Sequence, residues 1–307
     1  MLESNLAPVV LFVYNRPWHT RQTLEALSKN ELANESELYV FADGPKLSAS
    51  EEELSKIDEV RKIVKEKKWC KSVVLIESDT NRGIEESEIE GVTKIVNQNG
   101  KIIVLEDDII TSKYFLKYMN QGLEVYKDIS NVYSINGYMY PINTNLYNSV
   151  LLPFPCSWGW ATWKEKWSEF ELEMKNRDFI QSNIFIKNRF NIANSNHHSI
   201  INSNTWDIRW MYTLFVRNGL GLSPSKSLTS NIGFDGSGTH FNEKTEVYQT
   251  LTDKDIQVIK TNKIDLEFYS LILDYFTKES QQNKISLGTL LVKFHNRLKN
   301  RLFKKHK

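Results

Sequence analysis

The chain has 307 residues, enough for one large domain or two smaller ones with a substantial core. Its formal net charge of +1 provides no strong field for nucleic acid, and no nucleic-acid partner is expected. Cys70 and Cys156 are too few for a disulfide framework, and the N-terminal segment lacks the basic start of a signal peptide. We therefore expect a cytoplasmic protein.

The first half of the chain alternates β-rich runs with helical patterns. Short, continuous or β-branched apolar runs predict five strands, at 8–14, 37–44, 71–78, 101–108 and 131–137. Helical patterns follow them, at 17–30, 51–68, 84–98 and 112–127. Pro17 suits a first helical turn, Ser48 or Ser50 can cap the second helix, and Asn99-Gly100 is a common C-terminal stop.

This strand–helix order predicts an α/β fold with a mostly parallel central sheet and helices on both faces. Ligands of such sheets bind beyond the carboxyl ends of the strands. Four of the predicted strands end in polar groups, namely Asn15-Arg16, Asp43-Gly44, Asp79 through Gly83, and Glu106-Asp107-Asp108. We expect these groups to converge on one edge.

The pattern changes after about residue 140. Aromatic residues and glycine crowd 153–170, asparagine and serine dominate 181–204, a helical pattern covers 205–219, and a Gly-rich loop covers 230–242. We expect residues 1–140 and 141–260 to be halves of one domain, the second being a smaller acceptor-side subregion that completes the pocket. Residues 261–307 are predicted to form a helical, basic tail.

The stretch KIIVLEDDII (101–110) places three adjacent carboxylates at the end of a strand, with no basic residue inside the run. Strand alternation sends the side chains of Asp107 and Asp108 in opposite directions. Hard oxygen ligands at the mouth of a sheet suit Mg²⁺ or Mn²⁺, so the missing positive charge is expected to arrive with the substrate. The alternative is a solvated acidic turn.

Several short motifs occur in a recognisable order. Strand 1 followed by YNRP, strand 2 ending in ADG, then NRGI and VLEDD, resembles the nucleotide-sugar-binding half of GT-A fold glycosyltransferases. The likeness is nearest to the N-acetylglucosaminyltransferase I family and bacterial family 2 glycosyltransferases, whose DXD-type motif is often written EDD. It continues in CSWGWATW, WDIRW and GSGTH, and so covers roughly residues 8 to 242. It implies a GT-A, Rossmann-like fold with the nucleotide sugar held by residues 1–140.

The resemblance also implies roles for residues at the sheet edge. The positions that match the base- and diphosphate-binding motif are Tyr14, Asn15 and Arg16. Asp43 matches an acid that contacts the uracil or ribose, and Arg82 and Gly83 fall where the family closes over the nucleotide. Ordinary turn chemistry is the alternative for Asn15-Arg16-Pro17 and for Asp43-Gly44.

The remaining implied roles concern the metal and the donor sugar. Asp108 is the expected ligand of Mn²⁺ or Mg²⁺, with Asp107 and Glu106 towards the ribose and the donor sugar. His240 lies in the Gly-rich loop and can complete the metal or diphosphate site once the donor binds, or it is simply an exposed loop residue.

An inverting sugar transfer needs a carboxylate that deprotonates the acceptor hydroxyl. Asp207, flanked by Trp206 and Trp210, is the candidate base, because an apolar surround raises the pKa of a carboxyl group. The alternative is an acid at a helix N-terminus that only interacts with the helix dipole.

An aromatic cluster offers a candidate sugar-binding surface. Trp158, Trp160 and Trp163 have flat faces for sugar CH groups, and Gly159 lets backbone approach closely. Core packing is the alternative for each Trp.

These features predict an inverting, divalent-metal-dependent glycosyltransferase. It would move N-acetylglucosamine or another hexose from a UDP-sugar to a glycan or lipid-linked glycan acceptor of a bacterial surface polysaccharide. One alternative is a sugar nucleotidyltransferase, although such enzymes carry a Gly-rich loop where this chain reads NRPWHT. Another is a non-catalytic nucleotide-sugar-binding protein.

The tail from Lys284 to Lys307 contains no acidic residue and has apolar positions at helical spacing. This pattern suits peripheral binding to an anionic membrane surface at the inner face of the plasma membrane. A solvated terminal helix or a disordered tail is the alternative.

Overall fold

The computed structural model describes residues 6–192, 201–203, 205–236 and 250–278 of the 307-residue chain. It divides into two compact units. The first joins Met1–Lys175 to Ser203–Asp265, and the second joins Asn176–Asn202 to Leu266–Lys307. The predicted boundaries at residues 140 and 260 stay predictions.

The first unit is built on an eight-stranded sheet. Its strands are β1 (Val9–Val13), β2 (Glu37–Ala42), β3 (Ser72–Glu77), β4 (Lys101–Glu106), β6 (Val132–Asn136), β7 (Ser149–Leu152), β8 (Trp160–Trp163) and β9 (Leu220–Pro224). The spatial order is β3-β2-β1-β4-β8-β6-β9-β7. All strands point the same way except β8 and β7, which pair antiparallel to their neighbours. A small antiparallel pair, β5 (Ile109–Thr111) and β10 (Thr229–Asn231), lies outside this sheet.

Helices surround the sheet. In the first unit they are α1 (Pro17–Ser28), α2 (Glu51–Lys65), α3 (Gly83–Asn99), α4 (Phe115–Tyr126), α5 (Lys164–Trp167) and α8 (Trp206–Arg217). The second unit contains α6 (Arg177–Ser182), α7 (Ile184–Phe190) and a helix at 266–278. Among the described residues, no helix is long and apolar enough to cross a membrane.

Local sequence explains where these helices begin and end. Pro17 occupies the first turn of α1, where its missing N–H has no intrahelical role. Ser50 forms a capping box with Glu53, so that two otherwise unsatisfied N–H groups of α2 are paired. Gly100 ends α3 with a φ of 77°, a left-handed conformation that favours glycine.

Both faces of the sheet are covered, as the alternation along β1 demonstrates. Leu11 packs into a core that contains Leu24 of α1 and Val60 of α2. Phe12, its neighbour, packs on the opposite face with Val92 of α3. The expected α/β fold is therefore confirmed, including the five predicted strands and the helices between them.

The topology brings several strand ends to one edge. Because β1, β2 and β4 are adjacent and parallel, their carboxyl ends meet, with Val13 opposite Ala42 and Phe12 opposite Glu106. The segments that follow these strands therefore lie side by side, and they contain Arg16, Asp43 and the acid triplet.

Candidate functional site

Arg16 forms the centre of an ion-pair cluster at this edge. Its Nη2 donates to Asp108 Oδ2 at 2.9 Å and also to Asp107 Oδ1, while its Nε donates to Asp107 Oδ2 at 3.3 Å. The two aspartates are only 5% and 7% exposed. The positive charge that the sequence predicts to arrive with the substrate is therefore supplied in part by the chain itself.

Burial and Arg16 act in opposite directions on Asp107. Burial raises the pKa of Asp107 to about 6, although the nearby guanidinium favours the charged form. Burial also disfavours the charge of Arg16, but Asp107 and Asp108 outweigh it and raise the pKa of Arg16 above its usual value. Arg16 therefore stays charged, whereas Asp107 gains or loses its proton near pH 6.

Neighbouring backbone fixes the turn that carries these acids. The carbonyl oxygen of Asp107 accepts a hydrogen bond from Thr23 Oγ1 of α1 at 2.7 Å. The carbonyl oxygen of Asp108 accepts from the Ile232 N–H at 2.9 Å. Gly233 lies so close to Asp108 that a Cβ there would collide with the carboxylate. The turn is held between α1 and the segment after β10, and a side chain at position 233 would displace the Asp108 carboxylate.

Asp108 is the described residue that best fits the expected Mn²⁺ or Mg²⁺. Its Oδ1 is buried and has no hydrogen-bond partner among the described residues. Such cations bind one or two carboxylates and complete their shell with water and substrate phosphates. The described ranges contain no group of three or more His, Cys, Asp or Glu that could hold a metal by itself. Asp108 therefore fits a cation whose other ligands are water and substrate phosphates. His240 lies outside the described residues.

Asp43 joins the loops that follow β2 and β3. Its Oδ1 accepts from the backbone N–H groups of Gly44 at 2.8 Å and Arg82 at 2.9 Å. Its Oδ2 accepts from Asn81 Nδ2 at 2.9 Å and from the Gly83 N–H at 3.0 Å. The carboxylate thus caps the N-terminus of α3. Its contact with a uracil or ribose stays a prediction.

The other predicted nucleotide-binding residues lie around this junction. Asn15 is half-buried in the turn between β1 and α1. The Tyr14 hydroxyl is buried near the backbone of Lys46. Burial, followed by the charges of Glu53 and Asp43, raises the pKa of Tyr14.

Arg82 directs its guanidinium along α3, where it pairs with Glu86 at 2.7 Å and with Glu90 at 2.6 Å. Beside it, a cleft of about 410 Å³ is lined by residues of β2, β3 and α3, including Asp43. Asp107 and Asp108 are not among the residues that line this cleft.

The base candidate Asp207 stands in the first turn of α8, and α3 positions that turn. Glu85 Oε1 accepts a hydrogen bond from the Trp206 N–H at 2.7 Å. Arg209 Nη1 lies 3.6 Å from the other oxygen of Glu85. A carboxylate at this helix N-terminus satisfies a backbone donor and interacts favourably with the helix dipole.

Glu88 of α3 is a buried acid that the sequence analysis did not identify. It is 1% exposed, and neither carboxylate oxygen has a hydrogen-bond partner among the described residues. Burial, then the charges of Glu106 and Asp207, raises the pKa of Glu88 well above its usual range. Burial, then Asp108 and Asp207, does the same for Glu106. Glu88, Glu106 and Asp207 therefore influence one another electrostatically.

A sequence signal for Glu88 did exist. Val92 and Ile95 of α3 are buried in the core, and Glu88 stands four and seven residues before them. A carboxylate in the apolar stripe of an amphipathic helix has no packing explanation, and such a position indicates a functional or paired acid.

The predicted aromatic surface separates into two parts. Trp158 is half-buried and stands edge-on to Tyr138 at 4.6 Å and to Phe234 at 5.5 Å, measured between ring centroids. Gly159 has a φ of 77°, and a Cβ there would lie 2.8 Å from a methyl group of Thr229. Position 159 therefore needs glycine. Trp158 is only half-buried, so part of its side chain remains accessible.

Trp160 is placed differently from the prediction. It is 1% exposed on β8, and its ring stacks on Trp206 with centroids 5.4 Å apart. Trp163 is buried as well and donates its indole N–H to the carbonyl oxygen of Leu123. Protein atoms cover both rings, as the core-packing alternative predicts, so neither offers a face to a sugar in this structure.

Comparison with known proteins adds partial structural similarities. No protein-family model matches the chain, and no curated protein matches it. A solved structure of S. aureus TarS, fragment 1–349, is 11% identical over 72% of this chain and 59% of its own, with a TM-score of 0.37. The same fragment in complex with UDP-GlcNAc is 10% identical over 72% and 57%, also at 0.37. An active-site mutant of LgtC is 8% identical over 57% and 64%, at 0.33.

The chain thus spans less than two thirds of the length of these TarS and LgtC structures. At such TM-scores the likeness covers part of each fold and assigns no activity.

Proposed function

We propose that this protein is a GT-A type glycosyltransferase that moves a hexose from a UDP-sugar to a glycan acceptor with inversion at the anomeric carbon. The observation that supports the proposal is the convergence of Arg16 with the acidic turn at Asp107 and Asp108, and Asp207 of α8 is proposed to act beside them. One cation, one partly unpaired carboxylate and one opposing acid at the carboxyl edge of a sheet are the groups that such a transfer needs.

The diphosphate of the donor is proposed to bind beside Arg16 and Asp108. Arg16 presents a planar guanidinium, which suits phosphate oxygens as well as carboxylates. Asp108 Oδ1 would hold Mn²⁺ or Mg²⁺, together with His240 as a proposed second ligand. When bound, the cation neutralises charge on the diphosphate leaving group.

The nucleoside is proposed to lie towards Tyr14, Asn15 and Asp43. The buried Tyr14 hydroxyl is proposed to form a hydrogen bond with a ribose or base. Gly83 at the start of α3 and the side chain of Arg82 are proposed to close over the nucleotide. Glu106 and Asp107 would face the ribose and donor sugar.

Asp207 is proposed to act as the base. The acceptor hydroxyl would pass its proton to the Asp207 carboxylate while its oxygen forms a bond to the anomeric carbon of the donor. The bond from that carbon to the diphosphate oxygen breaks on the opposite face, and its electron pair leaves with the nucleoside diphosphate. Trp158 and Gly159 would line the acceptor side.

The acceptor is proposed to be a glycan or lipid-linked glycan of a bacterial surface polysaccharide. A peripheral position at the inner face of the plasma membrane, through the basic tail, belongs to the same proposal. The segment of that tail from Lys284 to Lys307 lies outside the described residues.

A panel of nucleotide sugars, UDP-GlcNAc included, tests the proposal with and without Mn²⁺. We expect metal-dependent binding of at least one UDP-sugar, together with transfer or slow hydrolysis. Asp108→Ala should weaken this binding. The proposal fails if no UDP-sugar binds in a metal-dependent way and Asp108→Ala changes nothing.

The role of Asp207 has its own test. Asp207→Asn removes the proton acceptor while keeping the size of the side chain, so transfer should fall by about 10²-fold or more with donor affinity retained. Asp58→Asn, on the exposed face of α2, is the matched control and should keep full transfer. Equal activity in the two variants would remove Asp207 from the mechanism.

A further inference from the structure

We propose that the helical hairpin of α6 and α7 is a membrane-contacting surface that inserts apolar side chains into an anionic phospholipid bilayer. The inference rests on the membrane position proposed above, and it names a second segment, besides the basic tail, that makes the contact. The hairpin belongs to the second unit of the chain and contains no residue of the candidate functional site.

Three large apolar side chains near the turn of this hairpin are exposed. Phe179 of α6 is 60% exposed, and Ile184 and Phe185 of α7 are 59% and 82% exposed. Together they leave roughly two complete side chains uncovered, on the order of 400 Å² for residues of this size. Single apolar residues scattered over a surface are ordinary, whereas three of them within seven residues of sequence indicate a contact with a partner or a membrane.

The hairpin already has a separate set of apolar residues that packs against protein. Ile180 of α6 and Phe190 of α7 are each only 2% exposed. Asn183 separates the two helices and caps α7, because its Oδ1 accepts from the N–H groups of Phe185 at 3.0 Å and Ile186 at 3.1 Å. The exposed side chains are therefore additional to the residues that fold the hairpin.

The charges of the hairpin distinguish a membrane from a second copy of this chain. Arg177, Lys187 and Arg189 stand against one acid, Asp178, so α6 and α7 together have a net charge of +2. In a symmetric dimer the same surface meets itself, which would bring these like charges together. The surface of an anionic bilayer attracts them instead.

The size of the exposed area also favours a bilayer. A stable protein–protein interface buries about 800 Å² on each partner, about twice the exposed apolar area of the hairpin. A bilayer needs no such minimum, and the long side chains of Lys187 and Arg189 can hold their charges at the level of the headgroups. The helices have only six and seven residues, whereas a span takes about 20, so the contact is interfacial.

Co-sedimentation of the full chain with vesicles tests this contact. We expect the wild type to bind vesicles of phosphatidylglycerol and phosphatidylcholine more tightly than vesicles of phosphatidylcholine alone. Ile184→Ser combined with Phe185→Ser should weaken binding to the anionic vesicles by about tenfold or more, because apolar area is lost while every charge is kept. The matched control is Leu47→Ser combined with Leu54→Ser, two exposed leucines of the first unit, and it should bind like the wild type.

Phe185→Trp reports insertion at the hairpin itself. Relative to the wild type, this variant should gain tryptophan fluorescence that brominated lipids in anionic vesicles quench, whereas the fluorescence gained in Leu47→Trp should not be quenched. The proposal is overturned if the double serine variant of the hairpin binds vesicles as tightly as the wild type, or if brominated lipids leave the added signal of Phe185→Trp unchanged. A wild-type dimer in analytical ultracentrifugation that the two serine substitutions dissociate would also overturn it.

Failure of this inference can be told apart from failure of the proposed function. Vesicle binding needs no donor, and the panel of UDP-sugars needs no vesicles. Lost vesicle binding with unchanged hydrolysis of a UDP-sugar in the variant that combines Ile184→Ser and Phe185→Ser supports the inference. If no UDP-sugar binds, the proposed transferase fails, while the vesicle experiments still decide the role of the hairpin.

Discussion

Arg16→Met tests whether the acidic turn depends on its internal cation. Methionine keeps much of the length of the side chain but removes the guanidinium that contacts Asp107 and Asp108. Removing one partner of a buried ion pair leaves an uncompensated charge, and such changes destabilise proteins by about 3–5 kcal/mol.

The pKa of Asp107 sets a limit on its share of this loss. With Arg16 present, that pKa is already about 6. At pH 8, an Asp107 without its partner can take up a proton at a cost of about 1.4 kcal/mol for each pH unit above 6, or about 3 kcal/mol. At pH 6 this cost is close to zero. Loss of Arg16 raises the folded-state pKa of Asp107 above 6, so the extra deficit of the variant accumulates between pH 6 and that higher pKa and shrinks as the pH falls towards 6.

Urea unfolding of the wild type and Arg16→Met at pH 8 and pH 6 measures both quantities. We expect a loss of about 3 kcal/mol at pH 8 and less than half of it at pH 6. Mn²⁺ should stabilise the variant more than the wild type, because both carboxylates are then available to the cation. The control is Arg21→Met, on the same helix, whose ion pair with Glu66 is solvent-exposed and should contribute little at either pH. Equal losses for the two variants at pH 8 would refute the reasoning.

Three further substitutions test the surroundings of the site. Gly159→Ala combines a left-handed φ with a steric clash and should destabilise by about 2–4 kcal/mol in urea unfolding, whereas Gly100→Ala, with the same φ of 77° and open space, should lose about 1 kcal/mol. Asp43→Ala should destabilise the protein by about 2 kcal/mol, because the N-terminus of α3 is left uncapped. Asp79→Ala, on the exposed loop, is the control and should be neutral. Equal stability of these two variants would contradict the capping role of Asp43. Trp160→Ala should lose about 3–5 kcal/mol of stability, and retained stability with lost sugar binding would contradict the packing role.

Local signals were sufficient to predict the first half of the fold. The four aliphatic runs from β1 to β4 are continuous, and a helical pattern separates each from the next. The capping box at Ser50 and the helix stop at Gly100 involve only residues that are close in the sequence. They can therefore be predicted from the sequence alone. The acidic end of β4 was predictable for the same reason.

The second half and the pairing inside the site depend on contacts between distant residues. β8 is a strand because it pairs antiparallel with β4, and its aromatic residues gave no alternation that would reveal this. Likewise, Arg16 and Asp107 are 91 residues apart, and only the parallel register of β1 and β4 brings them together. The sequence therefore predicted the acids of the turn but not that Arg16 is their ion-pair partner.

Charge balance links Arg16 to the proposed donor. Besides Asp107 and Asp108, the acids Glu88 of α3, Glu106 of β4 and Asp207 of α8 interact electrostatically, while Arg16 pairs with the acidic turn and Arg209 with Glu85 of α3. A nucleoside diphosphate adds more negative charge to this low-dielectric environment, where like charges repel strongly. Donor binding therefore requires that protons stay on the buried acids, that a divalent cation accompanies the donor, or both. Since the proton on Asp107 is lost near pH 6, the dependence of donor affinity on Mn²⁺ should become steeper as the pH rises above that value.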